Sequence, residues 1–189
     1  MIGTPRLLLL AVPLVLAGCG GHAGGATAAP ATDGMSMASD AAASAAAPPK
    51  SATMVCGDEI RTKVQQVLSL PAPPATSSTW ASSVFTCTYA LPQGPMTLTV
   101  QVLPTSARAG AKLDADRTAT TGAQDLAGLG ERAWGTDAGT AAVLKDNQIL
   151  TVDTTRLPEV FGANDQKRTD LAYEVASDVL GCWTGDGDE

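Results

Sequence analysis

Residues 20–50 contain almost nothing that can be buried. The stretch is Ala, Gly, Ser, Thr and Pro with almost no large apolar side chains, so packing there cannot offset the entropy of ordering the chain. Every packed element must lie downstream, and the 189-residue chain is expected to hold one domain, residues 52–184, closed by an acidic tail at 185–189. A domain of that size builds its core without metal help, since about 70% of the unfolded surface is buried at roughly 150 residues. The low-complexity stretch is expected to be a disordered tether. At about 5–6 Å × √n, some 30 flexible residues give roughly 30 Å of reach.

Ahead of the tether, Arg6 precedes an apolar run, Leu7 to Leu16, that ends in Leu16-Ala17-Gly18-Cys19. That order matches a bacterial lipoprotein signal. The basic end stays in the cytoplasm, the small residues suit a peptidase, and the Cys19 thiol accepts a diacylglycerol before cleavage. The apolar run is shorter than the roughly 20 residues that a spanning helix needs. An ordinary secretory leader does not require a cysteine at the cleavage point. Residues 1–18 are therefore expected to be a leader, and residues 19–51 the lipidated cysteine with its tether. The lipid would hold the domain stably on the outer face of the cytoplasmic membrane.

Removing Arg6 with the leader leaves 11 cationic side chains against 19 acidic ones, a net charge near −8. Such a surface argues against nucleic acid and against adsorption to anionic headgroups. The tether carries the single histidine, His22, and the pair Met35 and Met37. Thioethers and imidazole suit copper, which makes copper capture by the tether an alternative. Copper-handling segments repeat such motifs and this one does not, so no metal and no cofactor is assigned.

In the folded part, Ile60, Val64, Val67 and Leu68 fall on one face of a helix from about Asp58 to Ser69, stopped by Pro71, Pro73 and Pro74. A polar loop is expected through Ser82. Val84 to Ala90 reads as a strand with Phe85, Cys87 and Tyr89 on one face. After a Pro92-Gln93-Gly94-Pro95 turn, Leu98, Val100 and Val102 alternate with Thr97, Thr99 and Gln101. Thr105 or Ser106 caps an Ala-rich helix through about Arg117. Leu129 to Trp134 reads as a strand, and Ala141–Lys145 with Gln148–Asp153 as a hairpin turning at Asp146-Asn147. A last helix, about Asp165 to Leu180, places Ala172, Val175, Ala176 and Val179 on one stripe. The expected fold is α+β: an antiparallel sheet of about five strands with two or three helices packed on one face.

The order Cys56, amphipathic helix, Pro-rich loop and Cys87-Thr88-Tyr89 resembles an actinobacterial cell-envelope lipoprotein family of unknown function. The segment Gly128-Leu129-Gly130-Glu131-Arg132-Ala133-Trp134 and the hairpin with Val143, Leu144, Ile149 and Leu150 are similar to that family's second half. The likeness spans most of residues 54–180. The plan is also similar to extracellular sensor domains of mycobacterial-type receptor kinases. The resemblance implies an envelope role and brings no catalytic residues, and Cys182 is extra to its pattern.

Cys56, Cys87 and Cys182 would sit in an oxidising compartment, giving one bridge and one spare thiol. A Cys56–Cys87 bridge is favoured, tying the first helix to the first strand. Cys56–Cys182 is the rival, open if the first and last helices run antiparallel. Spare Cys182 is expected to be an idle thiol, with pairing between molecules as the alternative.

Gly128-x-Gly130-x-x-Ala133 fits a dinucleotide fingerprint only superficially, because no βαβ unit surrounds it. With the lone histidine in the tether, Ser-His and Cys-His dyads are excluded from the domain. G-x-S-x-G, H-E-x-x-H and S-x-x-K are absent. The chain is expected not to be an enzyme, a carboxylate enzyme being the lesser alternative. Trp80, in a polar segment, and Trp183, near the end, are the candidate binding aromatics. These features point to a non-catalytic interaction or ligand-sensing domain, with an unknown envelope protein or small molecule as partner. The alternative is a carrier of a small apolar envelope molecule.

Overall fold

Seven strands pair antiparallel in the spatial order β1-β2-β3-β7-β6-β5-β4. They are β1 Ala75–Ala81, β2 Val84–Leu91, β3 Gly94–Val102, β4 Gln124–Asp125, β5 Arg132–Thr136, β6 Thr140–Lys145 and β7 Gln148–Asp153. β8 Val160–Phe161 and β9 Gln166–Lys167 form a separate two-stranded ribbon. The helices are α1 Lys50–Thr53, α2 Asp58–Val67, α3 Ser106–Ala119 and α4 Arg168–Gly185, with a 3-10 turn over Met54–Cys56. This computed structural model describes residues 47–162 and 164–185. Cys19, His22, Met35 and Met37, with all of the leader and most of the tether and tail, lie outside the described residues.

The fold is α+β with an antiparallel sheet, as the patterning implies, but two finer expectations are corrected. The sheet has seven strands rather than about five, because β1 is built from small polar residues and β4 is only two residues long. Among the described residues there are four helices rather than two or three, and they do not share one face. Strand alternation shows why. Along β6, Ala141 and Val143 enter the larger core beneath α2 and α4, while Ala142 and Leu144 enter a second cluster with Ala109 and Leu113 of α3. A strand whose successive residues are all apolar is buried on both faces, and α3 supplies the second cover.

The larger core is filled by Tyr89, Met96, Leu98, Leu150, Val152, Leu171 and Val175, all buried. Tyr89 donates its hydroxyl to the carbonyl of Val55, fastening β2 to the 3-10 turn. Next to that contact, Cys56 and Cys87 form a disulfide with their Cα atoms 5.6 Å apart. Two ion pairs bind α3 to the far edge of the sheet: Arg132 to Asp114 at 2.7 Å and Arg117 to Asp125 at 2.8 Å.

Local chemistry explains the helix ends. Thr105 caps α3 by accepting from the Arg108 amide at 3.3 Å. Asp58 and Glu59 complement the N-terminal dipole of α2. At its C-terminus, Leu70 N donates to Gln65 O and Ser69 N to Gln66 O, a Schellman closure that holds Ser69 left-handed at φ 50°.

Candidate functional site

α4 buries Leu171, Ala172, Val175, Ala176 and Val179 against the sheet. The period of 3.6 residues then turns Asp170, Tyr173, Glu174 and Ser177 outward, and all four are exposed. Opposite them stands Leu126 and the segment from Gly128 to Glu131. Three adjoining surface depressions, of about 300, 410 and 500 Å³, follow this line and share Asp170, Tyr173 and Ser177 between neighbours.

Tyr173 is central to the line. At 41% exposure it is one of two large hydrophobic side chains exposed among the described residues, with Val160. Its hydroxyl faces Gly128, where a Cβ would stand 3.9 Å away. Gly128 and Gly130 both have positive φ, 82° and 55°. At Gly130 a Cβ would come within 2.5 Å of the Leu144 carbonyl oxygen, so only glycine fits. These glycines turn the chain into antiparallel β5, not into a helix that could receive a pyrophosphate.

The charge along the line is acidic. Asp170, Glu174 and Asp178 lie four residues apart on one face of α4. Burial holds the Glu174 carboxyl above its usual range, and the charges of Asp178 and Asp170 push it the same way. Lys145, at the far end, is paired with Asp146 at 2.8 Å. An apolar group laid against the Tyr173 ring would be desolvated there, with the carboxylates of Asp170, Glu174 and Asp178 beside it. Among the described residues, no group of three or more His, Cys, Asp and Glu side chains could hold a metal ion.

Both candidate tryptophans are half-buried and pack against the larger core. Trp80 sits on β1, across from Phe85. Trp183 donates its Nε1–H to the Ser51 carbonyl at 2.8 Å. Trp134 is buried in the smaller core beneath α3. Cys182 is half-buried beside Glu59, and it remains a thiol because Cys87 takes Cys56. Burial first, then the hydrogen bond with Glu59, pushes its pKa up to about 11.

Tyr173 went unnoticed in the sequence. The available signal was its place off the apolar stripe: an aromatic between Ala172 and Val175 that cannot face the core with them. Compared with known proteins, the chain matches no family model, no curated protein and no solved structure. Among the described residues, no helix is long and apolar enough to cross a membrane.

Proposed function

We propose that the chain is a lipid-anchored envelope protein whose folded domain is a non-catalytic interaction module, docking a protein partner along the outer face of α4. Anchoring rests on Leu16-Ala17-Gly18-Cys19, and reach on the tether that follows. The observation that carries the docking reading is Tyr173, an exposed aromatic set in a line of open depressions rather than in the core. Aromatic side chains of this kind dominate binding energy at interfaces. A carrier would need an apolar void between sheet and helices, and there Tyr89, Met96, Leu98 and Leu171 occupy the space. The actinobacterial envelope family remains our proposal for kinship, since Cys56, Cys87 and Tyr89 of its pattern gather in one cluster at the 3-10 turn.

The test is a photo-reactive residue at position 173 in cells producing the full chain, with exposed Ala111 on α3 as the control position. One discrete adduct at 173, absent at 111, is the expected result. No adduct at 173, or equal labelling at both, overturns the docking surface. Anchoring is read separately, as fatty-acid incorporation that Cys19→Ser abolishes.

A further inference from the structure

The depression at one end of the α4 line, about 300 Å³, is built from several elements at once. Asp137, from the β5–β6 turn, and Asp170, from the first turn of α4, both line it. Thr136, Thr140 and Thr169 add hydroxyls to the same wall, and the Tyr173 ring borders it. Among the described residues no cationic side chain lines this depression. Arg168, two residues before Asp170, donates instead to the Leu157 carbonyl at 3.0 Å.

The elements that carry the two carboxylates are tied together. Thr154 is the only buried polar side chain among the described residues. Its hydroxyl lies 2.7 Å from the carbonyl oxygen of Gly139 and 2.8 Å from that of Arg168, so one buried group joins the β5–β6 turn to the start of α4. The turn itself is locked. Thr140 N donates to the Thr136 hydroxyl at 3.2 Å, and Gly139 takes φ 100°, where a Cβ would stand 2.5 Å from the Thr154 hydroxyl oxygen. Two like charges set on one depression repel each other, and a cation between them removes that cost.

The line changes character along its length. Leu129 and Leu180 line its far depression, and Lys145, which lines it too, is paired with Asp146 at 2.8 Å. Asp170 and Leu180 are separated along α4 by a stretch that spans roughly 15 Å at the helical rise. Resting on the docking reading above, we propose that the protein partner anchors at the acidic end through an arginine. Its guanidinium sits between Asp137 and Asp170 against the Tyr173 ring, while an apolar residue of the partner reaches the far end. Arginine suits this wall better than lysine. Its planar fork carries five donors for the carboxylates and hydroxyls, and its face stacks on an aromatic ring. Glu174 and Asp178 extend the negative charge along the middle depression, which favours encounter with a basic partner.

The test uses the full chain in intact cells, with the photo-reactive residue placed at exposed Ser177 so that Tyr173 stays in place. Adduct yield at 177 is compared among the parent chain, Asp137→Asn with Asp170→Asn, and Glu159→Gln with Asp165→Asn. All four positions are exposed, and each pair removes two negative charges, the second pair away from the line. The first pair is expected to lower the yield about tenfold, as loss of charge-assisted hydrogen bonds does, and the second to leave it unchanged. The labelled segment of the partner is expected to contain an arginine. A yield that the first pair does not move, an equal fall with the second pair, or a labelled segment without arginine overturns the arginine anchor and leaves the docking surface standing. No adduct at 177 in the parent chain, or an adduct with a small molecule alone, overturns the docking surface and the anchor with it.

Discussion

Trp183 donates its indole Nε1–H to the carbonyl oxygen of Ser51 at 2.8 Å, across 132 residues of chain. Gln148 of β7 donates to the Ser51 hydroxyl at 2.9 Å. The first helical turn, the end of α4 and the middle of the sheet thus meet at one residue. Ser51 falls at the very end of the segment expected to be tether, yet it lies in α1 and is held by these specific hydrogen bonds.

Trp183→Phe keeps most of the ring packing and removes the donor. We expect a loss of about 1 kcal/mol, the usual net worth of one such hydrogen bond. Urea unfolding at unchanged slope measures it. A loss near zero would mean that water replaces the indole at the Ser51 carbonyl.

The Cys56–Cys87 bridge closes a separation of 31 residues. Chain-entropy arguments give such a loop about 3–4 kcal/mol. The double variant Cys56→Ser, Cys87→Ser is expected to lose on that order, and a peptide map without reductant to show Cys56 linked to Cys87. The Tyr89 hydroxyl bond to Val55 lies one residue from the bridge, so the 3-10 turn keeps one fastening when the other is cut. Tyr89→Phe in the same background should then cost more than it does alone, a coupling that a double-mutant cycle reads.

Cys182 should alkylate slowly. Its pKa is raised from the ordinary 9.0 to about 11, by burial and then by Glu59, so little thiolate exists near neutrality. The folded value lies above the unfolded one. The neutral thiol therefore favours the fold fully below about pH 9, and that contribution is lost as pH rises through about 11. Iodoacetamide labelling of the native protein should climb about tenfold per pH unit from 8 to 10. Glu59→Gln should quicken it at every pH.

The parts of the fold that showed in the sequence are those where one physical signal dominates. The β6–β7 hairpin turns at Asp146-Asn147, with Lys145 paired to Gln148, as the turn residues and flanking apolar runs imply. α3 begins after Thr105 because Thr105 caps it. Its position across the sheet went unread, since all helices were expected on one face, although the run Ala141 to Leu144, without alternation, demands cover on both. β1 was hidden because Thr76, Ser77, Ser78 and Thr79 carry β propensity and loop polarity together, and only pairing with β2 decides between them. Tyr173 was legible by its phase on α4. The line of depressions beside it was not, because Gly128 and Gly130 meet α4 only in the folded chain.

The turn that conceals β1 can be improved. Ser82 and Ser83 both take positive φ, 50° and 60°, the pattern of a two-residue type I′ turn. A side chain with a Cβ is strained there, and Asn-Gly is the pair that this geometry favours. Ser82→Asn with Ser83→Gly should therefore stabilise the domain by roughly 0.5–1 kcal/mol, even though glycine gives the unfolded chain extra freedom. The gain should appear as a higher urea midpoint at unchanged slope. Ser69→Gly, at φ 50° after α2, tests the same strain in a helix ending and should act in the same direction. The two sites lie on different elements without shared partners, so their effects should add to within about 0.5 kcal/mol. A loss of stability at the β1–β2 turn alone would show that the serine hydroxyls there contribute more than the strain costs.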